Sequence, residues 1–283
     1  MERENATSPP ESPGRSWSGL VPRVVTGLVL AVGALVLVLM ASLGAIIILA
    51  ALAAGLCMWE YTRMCLPGPW NPKSLAGLVL AAGVALSALA GPAAVAGGLL
   101  LALALMAGLC LAGGGEPAQR LQDLQARLWG VIYTGGLMAC LLLVLTLPGG
   151  RLLILFLLLT VVAADTGAYF SGHLLGRHRM APELSPGKTL EGLAGGLAAG
   201  ALAAGIYAAL LLPDTGFVPG LILGLVMAGF SVLGDLLESV LKRAAGVKDS
   251  GGILPGHGGL LDRLDGILMA APPLLLARVW LWG

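Results

Sequence analysis

The 283 residues are 58% hydrophobic and 11% charged, with a net charge of +1 at pH 7. Soluble domains average about 25% charged residues, so an ordinary soluble fold is excluded, and the near-neutral balance offers nothing to a nucleic acid. Residues 24–59, 74–115, 128–150, 192–213 and 215–234 hold no Asp, Glu, Lys or Arg. Crossing a ~30 Å hydrocarbon core takes roughly 20 such residues as helix. The runs are continuous Leu/Ala/Val/Gly without the alternation of a membrane β-barrel. The expected class is an all-α, polytopic integral membrane protein.

The first 20 residues, polar and rich in Pro and Ser, read as a disordered cytosolic tail without the apolar core of a signal peptide. The 36 residues 24–59 would make a helix of about 54 Å, too long for one crossing, and are expected to divide near Ala41–Gly44. Residues 74–115 should divide at Gly91–Pro92, where proline ends a helix. The stretch from Gly113 to Arg127 is the longest internal polar break, and the next spans are expected at 128–147, 152–171, 191–212, 217–240 and 264–282. About nine membrane helices result. With the N-terminus cytosolic, 14 of the 16 Lys and Arg fall inside, leaving only Arg151 and Arg278 outside, a strong positive-inside bias. The chain divides into the tail 1–20, N-terminal membrane helices 21–150, and a C-terminal region 151–283 whose loops 172–190 and 241–263 face the cytosol. Cys57, Cys65, Cys110 and Cys140 lie in or beside apolar segments without CxxC spacing and read as small buried hydrophobes.

Chemistry gathers in the C-terminal region. The segment 242–266 alone holds seven charged residues and His257. Acids at membrane depth are costly and functional by default. Asp165, Asp235 with Glu238, and Asp262 with Asp265 stand at the cytosolic ends of three expected helices, the latter two pairs each sharing a helix face. Carboxylates beside Lys242, Arg243, Lys248 and Arg263 suit Mg²⁺ and phosphate. Glycines 251, 252, 256, 258 and 259 would let backbone amides approach an anion, with His257 among them as a general acid or base or a phosphate donor. "GKT" at Gly187–Thr189 does not read as a P-loop, because Pro182 replaces the required glycine and no strand is expected before it. Ser185 is expected to cap the following helix with Pro186 at its first position, leaving Lys188 beside an anion-binding helix terminus. Gly192, Gly196 and Gly200 form a close-packing face, for a neighbouring helix or a dimer.

The segment "SVLKRAAGVKDSGGILPGHGGLLDRLD", Ser239 to Asp265, resembles the signature of the phosphatidate cytidylyltransferases, the CDP-diacylglycerol synthases. "DTGAYFSGHLLGRHRMAPELSPGKTLEG" from Asp165 and "GDLLES" around Asp235 are similar to further motifs of that family, with His173 departing where a basic residue is expected. The first 150 residues resemble the family in hydropathy and in details such as "EYTRM" from Glu60. The resemblance implies that CTP and phosphatidate give CDP-diacylglycerol and pyrophosphate with Mg²⁺ and a second cation, K⁺ or Mg²⁺. It implies a homodimer in a bacterial inner membrane, the active site facing the cytosol and the lipid drawn from the inner leaflet.

On this reading Asp235 and Asp262 ligate metal, with Asp265 and Asp165 as additional ligands. Lys242, Arg263 and His257 join Asp235 and Asp262 in the catalytic set. Lys188, Ser185, Arg243, Lys248, Asp249, Ser239, Gly258, Gly259 and Tyr169 contact substrate. Two other classes compete. A CTP-dependent polyprenol kinase would move the γ-phosphate. A secondary transporter would use the acids as ion sites, but it places them mid-membrane between repeated halves.

Overall fold

The computed structural model describes residues 32–66, 68, 71–253 and 258–281. The expected tail 1–20, the beginning of the first span and His257 lie outside the described residues. Helix α1 covers 32–40, and the chain breaks at 41–42, inside the expected division. Ser42 opens α2, Leu43–Cys65, by accepting the Ala45 amide at 3.2 Å. Asn71 caps α3, Pro72–Ser87, in the same way, with proline at the first helical position. After one 3₁₀ turn, Gly91 at φ +93° and Pro92 start α4, Pro92–Ala112, again at the expected division.

The polar break at 113–127 is largely helical. From Pro117 this stretch is helix α5, Pro117–Gly130, which runs through a π-helical turn, Val131–Gly136, into α6, Leu137–Thr146. Low hydropathy does not preclude a helix here. Pro117 starts it, and Asp123 accepts from Arg127 Nε four residues on at 2.9 Å and pairs with Lys73 at 3.5 Å. Helix α7 spans Gly150–Leu175, α8 Leu190–Leu211, α9 Phe217–Ala244 and α10 Leu261–Trp280.

Seven helical segments among the described residues are long and apolar enough to cross a membrane: α2, α3 with its 3₁₀ turn, α4, the α5–α6 rod, α7, α8 and α9. The chain is an all-α integral membrane protein. Helix α10 is continuous but carries Asp262, Arg263, Asp265 and Arg278.

A second correction concerns Ser185. Instead of capping α8, it begins strand β2, Ser185–Thr189, which pairs antiparallel with β1, Arg179–Ala181. Thr189 is the cap, its hydroxyl accepting the Gly192 amide at 3.0 Å. Glu191 reaches back to the amides of Arg177 and His178 at 3.0 and 3.2 Å. The hairpin thus holds the chain extended past Pro186, and the helix starts four residues later than the Ser-Pro signal suggests.

The glycine face of α8 packs within the chain. A Cβ on Gly192 or Gly196 would stand 3.0 or 2.8 Å from the backbone oxygens of Ala168 and Ala164 on α7. On Gly200 it would stand 3.0 Å from Ala228 of α9 and 3.1 Å from Ala164. Helix α8 therefore sets the spacing of α7 and α9, the helices that carry Asp165 and Asp235. Behind them the core is built from Met58, Tyr133, Met138, Leu142, Phe156, Leu157, Leu268 and Leu274, all buried.

Candidate active site

Two clefts meet at one end of the bundle. One, of about 450 Å³, lies between α7, the hairpin, α8 and α9, and its walls include Tyr169, His173, Lys188 and Thr189. The other, of about 370 Å³, lies between α7, α9 and α10, with Glu238, Lys242, Asp249, Asp262, Arg263 and Asp265 in its walls. Asp165 and Asp235 line both.

Close backbone approach brings the acids together. A Cβ on Gly234 would fall 2.5 Å from the Asp265 carbonyl oxygen, and one on Gly266 would fall 2.5 Å from Ser231 Oγ. With glycine at both positions, α9 and α10 nearly touch, and Asp235, Glu238 and Asp265 offer oxygens that all lie within 4.8 Å of one another. Glu238 and Asp265 are buried, and Glu238 Oε1 has no hydrogen-bond partner among the described residues. A buried carboxylate oxygen left unmatched among three carboxylates suits a hard cation, which takes oxygen ligands.

Asp262 sits differently. Its Oδ1 pairs with Lys242 Nζ at 2.6 Å. Its Oδ2 accepts the Ser250 amide at 2.9 Å, the Ser250 hydroxyl at 2.9 Å and the Gly259 amide at 2.8 Å. Gly258, at φ +79°, turns the chain where a Cβ would meet Asp262 Oδ2 at 2.6 Å. Lys242 also pairs with Glu238 Oε2 at 2.8 Å, so its ammonium stands between two carboxylates, where a metal ion would also be at home.

Of the substrate-contacting residues expected from sequence, Lys188 is delivered by β2 onto Asp235, 2.5 Å away. Tyr169 stacks on His173 with ring centroids 6.1 Å apart, and both line the larger cleft. Arg243 is exposed and ties α9 to the hairpin by donating to the Leu184 carbonyl at 3.2 Å. Ser239 is buried and Lys248 exposed; among the described residues neither lines the two clefts.

Two residues were not assigned from sequence. The sequence puts Glu238 on one helix face with Asp235 but does not by itself assign it to the cluster. Glu60, on α2, is fully buried and accepts the Leu260 amide at 2.9 Å and the Leu261 amide at 2.8 Å. The rule that flagged the other acids also covers a carboxylate closing a 36-residue uncharged run.

The sequence model of the Cytidylyltransferase family matches residues 21–280. The chain belongs to this family. Family relatives include the uncharacterized protein YnbB of Escherichia coli K12, 42% identical over 163 residues, covering 56% of this chain and 54% of that protein. The phosphatidate cytidylyltransferases of Haemophilus influenzae and Bacillus subtilis are 45% and 43% identical over 127 and 123 residues. Each of these two matches takes in 44% of this chain, with 44% of the first relative and 46% of the second. The chain thus spans about half the length of the curated relatives it matches.

Proposed function

We propose that this chain transfers CMP from CTP to phosphatidate, giving CDP-diacylglycerol and pyrophosphate. The observation that carries the reading is the cluster Asp235, Glu238 and Asp265, flanked by Lys188 and Lys242 where two clefts join, in a member of the Cytidylyltransferase family. A lipid phosphate and a nucleotide phosphate can meet at such a junction.

Asp235, Glu238 and Asp265 would hold Mg²⁺, which supplies positive charge to phosphate oxygens. Asp262 would join them only with Lys242 drawn onto phosphate, and Asp165 is the proposed ligand of a second cation, K⁺ or Mg²⁺. The nucleophile is a phosphatidate phosphate oxygen, largely ionised at neutral pH, so no strong general base is required. It forms a bond to the α-phosphorus of CTP, the bond from that phosphorus to the bridging oxygen breaks, and pyrophosphate leaves. Lys188, Lys242 and Arg263 orient the phosphates and offset their charge, the main contributions to phosphoryl transfer. Tyr169 in one cleft and Gly258 and Gly259 beside the other complete the substrate contacts.

The same reading has nine crossings, counting α1 and α10, with the N-terminus and the site cytosolic. It puts the protein in a bacterial inner membrane as a homodimer. The test uses detergent-purified protein with phosphatidate, Mg²⁺ and CTP labelled at the α-phosphate or, in parallel, at the γ-phosphate. The α-label should enter the lipid with release of pyrophosphate, and Asp262→Asn should abolish this in a folded protein. Transfer of γ-label alone would overturn the reaction, and full turnover by Asp262→Asn would overturn the role of that carboxylate.

A further inference from the structure

The carboxylate of Glu60 comes from the N-terminal half of the chain and ends against the C-terminal loop, 190 to 201 residues away in sequence. Helix α10 has no side-chain cap of its own, since its N-cap residue is Leu260. The first amides of a helix need acceptors from elsewhere, and Glu60 supplies them. Oε1 takes the Leu260 amide at 2.9 Å and Oε2 the Leu261 amide at 2.8 Å. Ser250 Oγ lies 3.4 Å from Oε2 but 2.9 Å from Asp262 Oδ2. Its single hydrogen therefore favours Asp262, and the two backbone amides are the principal partners of Glu60.

The loop is shaped around this carboxylate. A Cβ on Gly251 would stand 2.5 Å from Glu60 Oε1, and one on Gly259 would stand 2.6 Å from Oε2. Gly259 also donates its amide to Asp262 at 2.8 Å. The backbone that Glu60 grips at 260 and 261 thus leads directly into Asp262. One turn further lies Asp265, on the same helix face. Tyr61, the next residue on α2, donates to the Ala126 carbonyl of α5 at 2.9 Å, which holds the helix carrying Glu60 in place.

We propose that Glu60 is a positioning residue, fixing the first turn of α10 so that Asp262 and Asp265 face Asp235, Glu238 and Lys242. The proposal deepens the cytidylyltransferase reading and rests on it for the reaction affected. It accounts for a fully buried carboxylate on α2 that lines neither cleft among the described residues. Ligand-orienting partners of this kind typically change metal affinity or activity by about 10- to 100-fold when removed.

The test compares full-length wild type with Glu60→Gln in detergent. Glutamine keeps the size of the side chain but turns an NH₂ donor toward one of the two amides. Three quantities are read: hydrogen exchange of residues 259–261, Mn²⁺ binding by the protein alone, and the kcat and KM of CMP transfer. The expected result is exchange at least tenfold faster at 259–261 with α4 unchanged. The Mn²⁺ Kd and kcat should each worsen by about tenfold or more, and KM by less. Glu60→Asp, which withdraws the carboxylate but keeps its charge, is read the same way and decides the matter if the Gln variant does not fold. Unchanged Mn²⁺ affinity and kcat in a folded variant would overturn the proposal, even with faster exchange, because Glu60 would then be only a helix cap. Weakened Mn²⁺ binding together with a wild type that transfers no CMP would sink the reaction and leave the positioning of the acids standing.

Discussion

Gly234→Ala is the sharpest probe of the site, because it adds one methyl group at the contact between α9 and α10. That carbon would lie 2.5 Å from the Asp265 carbonyl oxygen and 2.9 Å from Met269 Cγ, whereas ordinary contact begins at 3.4 Å. The oxygen belongs to helix backbone and cannot swing aside as a side chain can, so the helices must part by the difference, about 0.9 Å. Overpacking of this kind destabilises by about 1–3 kcal/mol, which a well-packed bundle can survive. The site is less tolerant. Octahedral Mg²⁺ at about 2.1 Å from each oxygen spans at most about 4.2 Å between opposite ligands, and the three carboxylates offer oxygens within 4.8 Å of one another. A further parting of this size is expected to lower turnover about 100-fold, the usual order for a 1 Å misplacement. It should also raise the Mg²⁺ concentration for half-maximal activity. The assay is transfer of α-labelled CMP to phosphatidate across an Mg²⁺ titration, with Gly108→Ala on α4 as control, since nothing lies within 4 Å of its new carbon. Turnover within threefold of wild type, with the same Mg²⁺ dependence, would refute the close-approach reasoning.

Two further outcomes are expected. Thr189→Val removes the hydroxyl that caps α8; loss of such a cap costs about 1 kcal/mol, and the melting temperature should fall by roughly 2–4 °C. An unchanged melting temperature would show that the hairpin alone fixes the start of α8. Removal of divalent cation with EDTA should weaken CTP binding, followed by equilibrium dialysis, at least tenfold, which is about 1.4 kcal/mol. Equal affinity with and without EDTA would mean that the basic side chains hold the triphosphate unaided.

Much of this arrangement is legible from residue order. Hydropathy locates the membrane helices, length calls for a division near Ala41–Gly44, which falls at 41–42, and proline places another at Gly91–Pro92. The glycine spacing at 192, 196 and 200 anticipates a packed face, though not that α7 and α9 are what it packs against. What local pattern could not supply was set by contacts distant in sequence. Ser185-Pro186 carries a sound helix-start signal, but pairing with Arg179–Ala181 and the reach of Glu191 to Arg177 and His178 keep it extended. Glu238 joins Asp235 and Asp265 because Gly234 and Gly266 let two helices nearly touch. Asp262, three residues before Asp265, is drawn into a separate set of bonds by Lys242, Ser250 and Gly259. Glu60 acquires its partners only when α10 begins beside it.

The charges around the two clefts explain why cation and phosphate binding should be coupled. Among the described residues, six carboxylates line them, Asp165, Asp235, Glu238, Asp249, Asp262 and Asp265, beside the basic side chains Lys188, Lys242 and Arg263. Lys188 is engaged with Asp235, and Lys242 with both Glu238 and Asp262. A triphosphate arriving alone would meet an excess of negative charge and would have to compete with carboxylates for each lysine. On the proposed reading, a divalent cation on Asp235, Glu238 and Asp265 would take up the carboxylate charge that holds the lysines, freeing them to turn toward phosphate. Because binding couplings are reciprocal, phosphate that draws Lys242 away from Glu238 must tighten the cation in return. On that reading the lysines would serve two states of one site, neutralising its acids before the substrates arrive and its substrates afterwards.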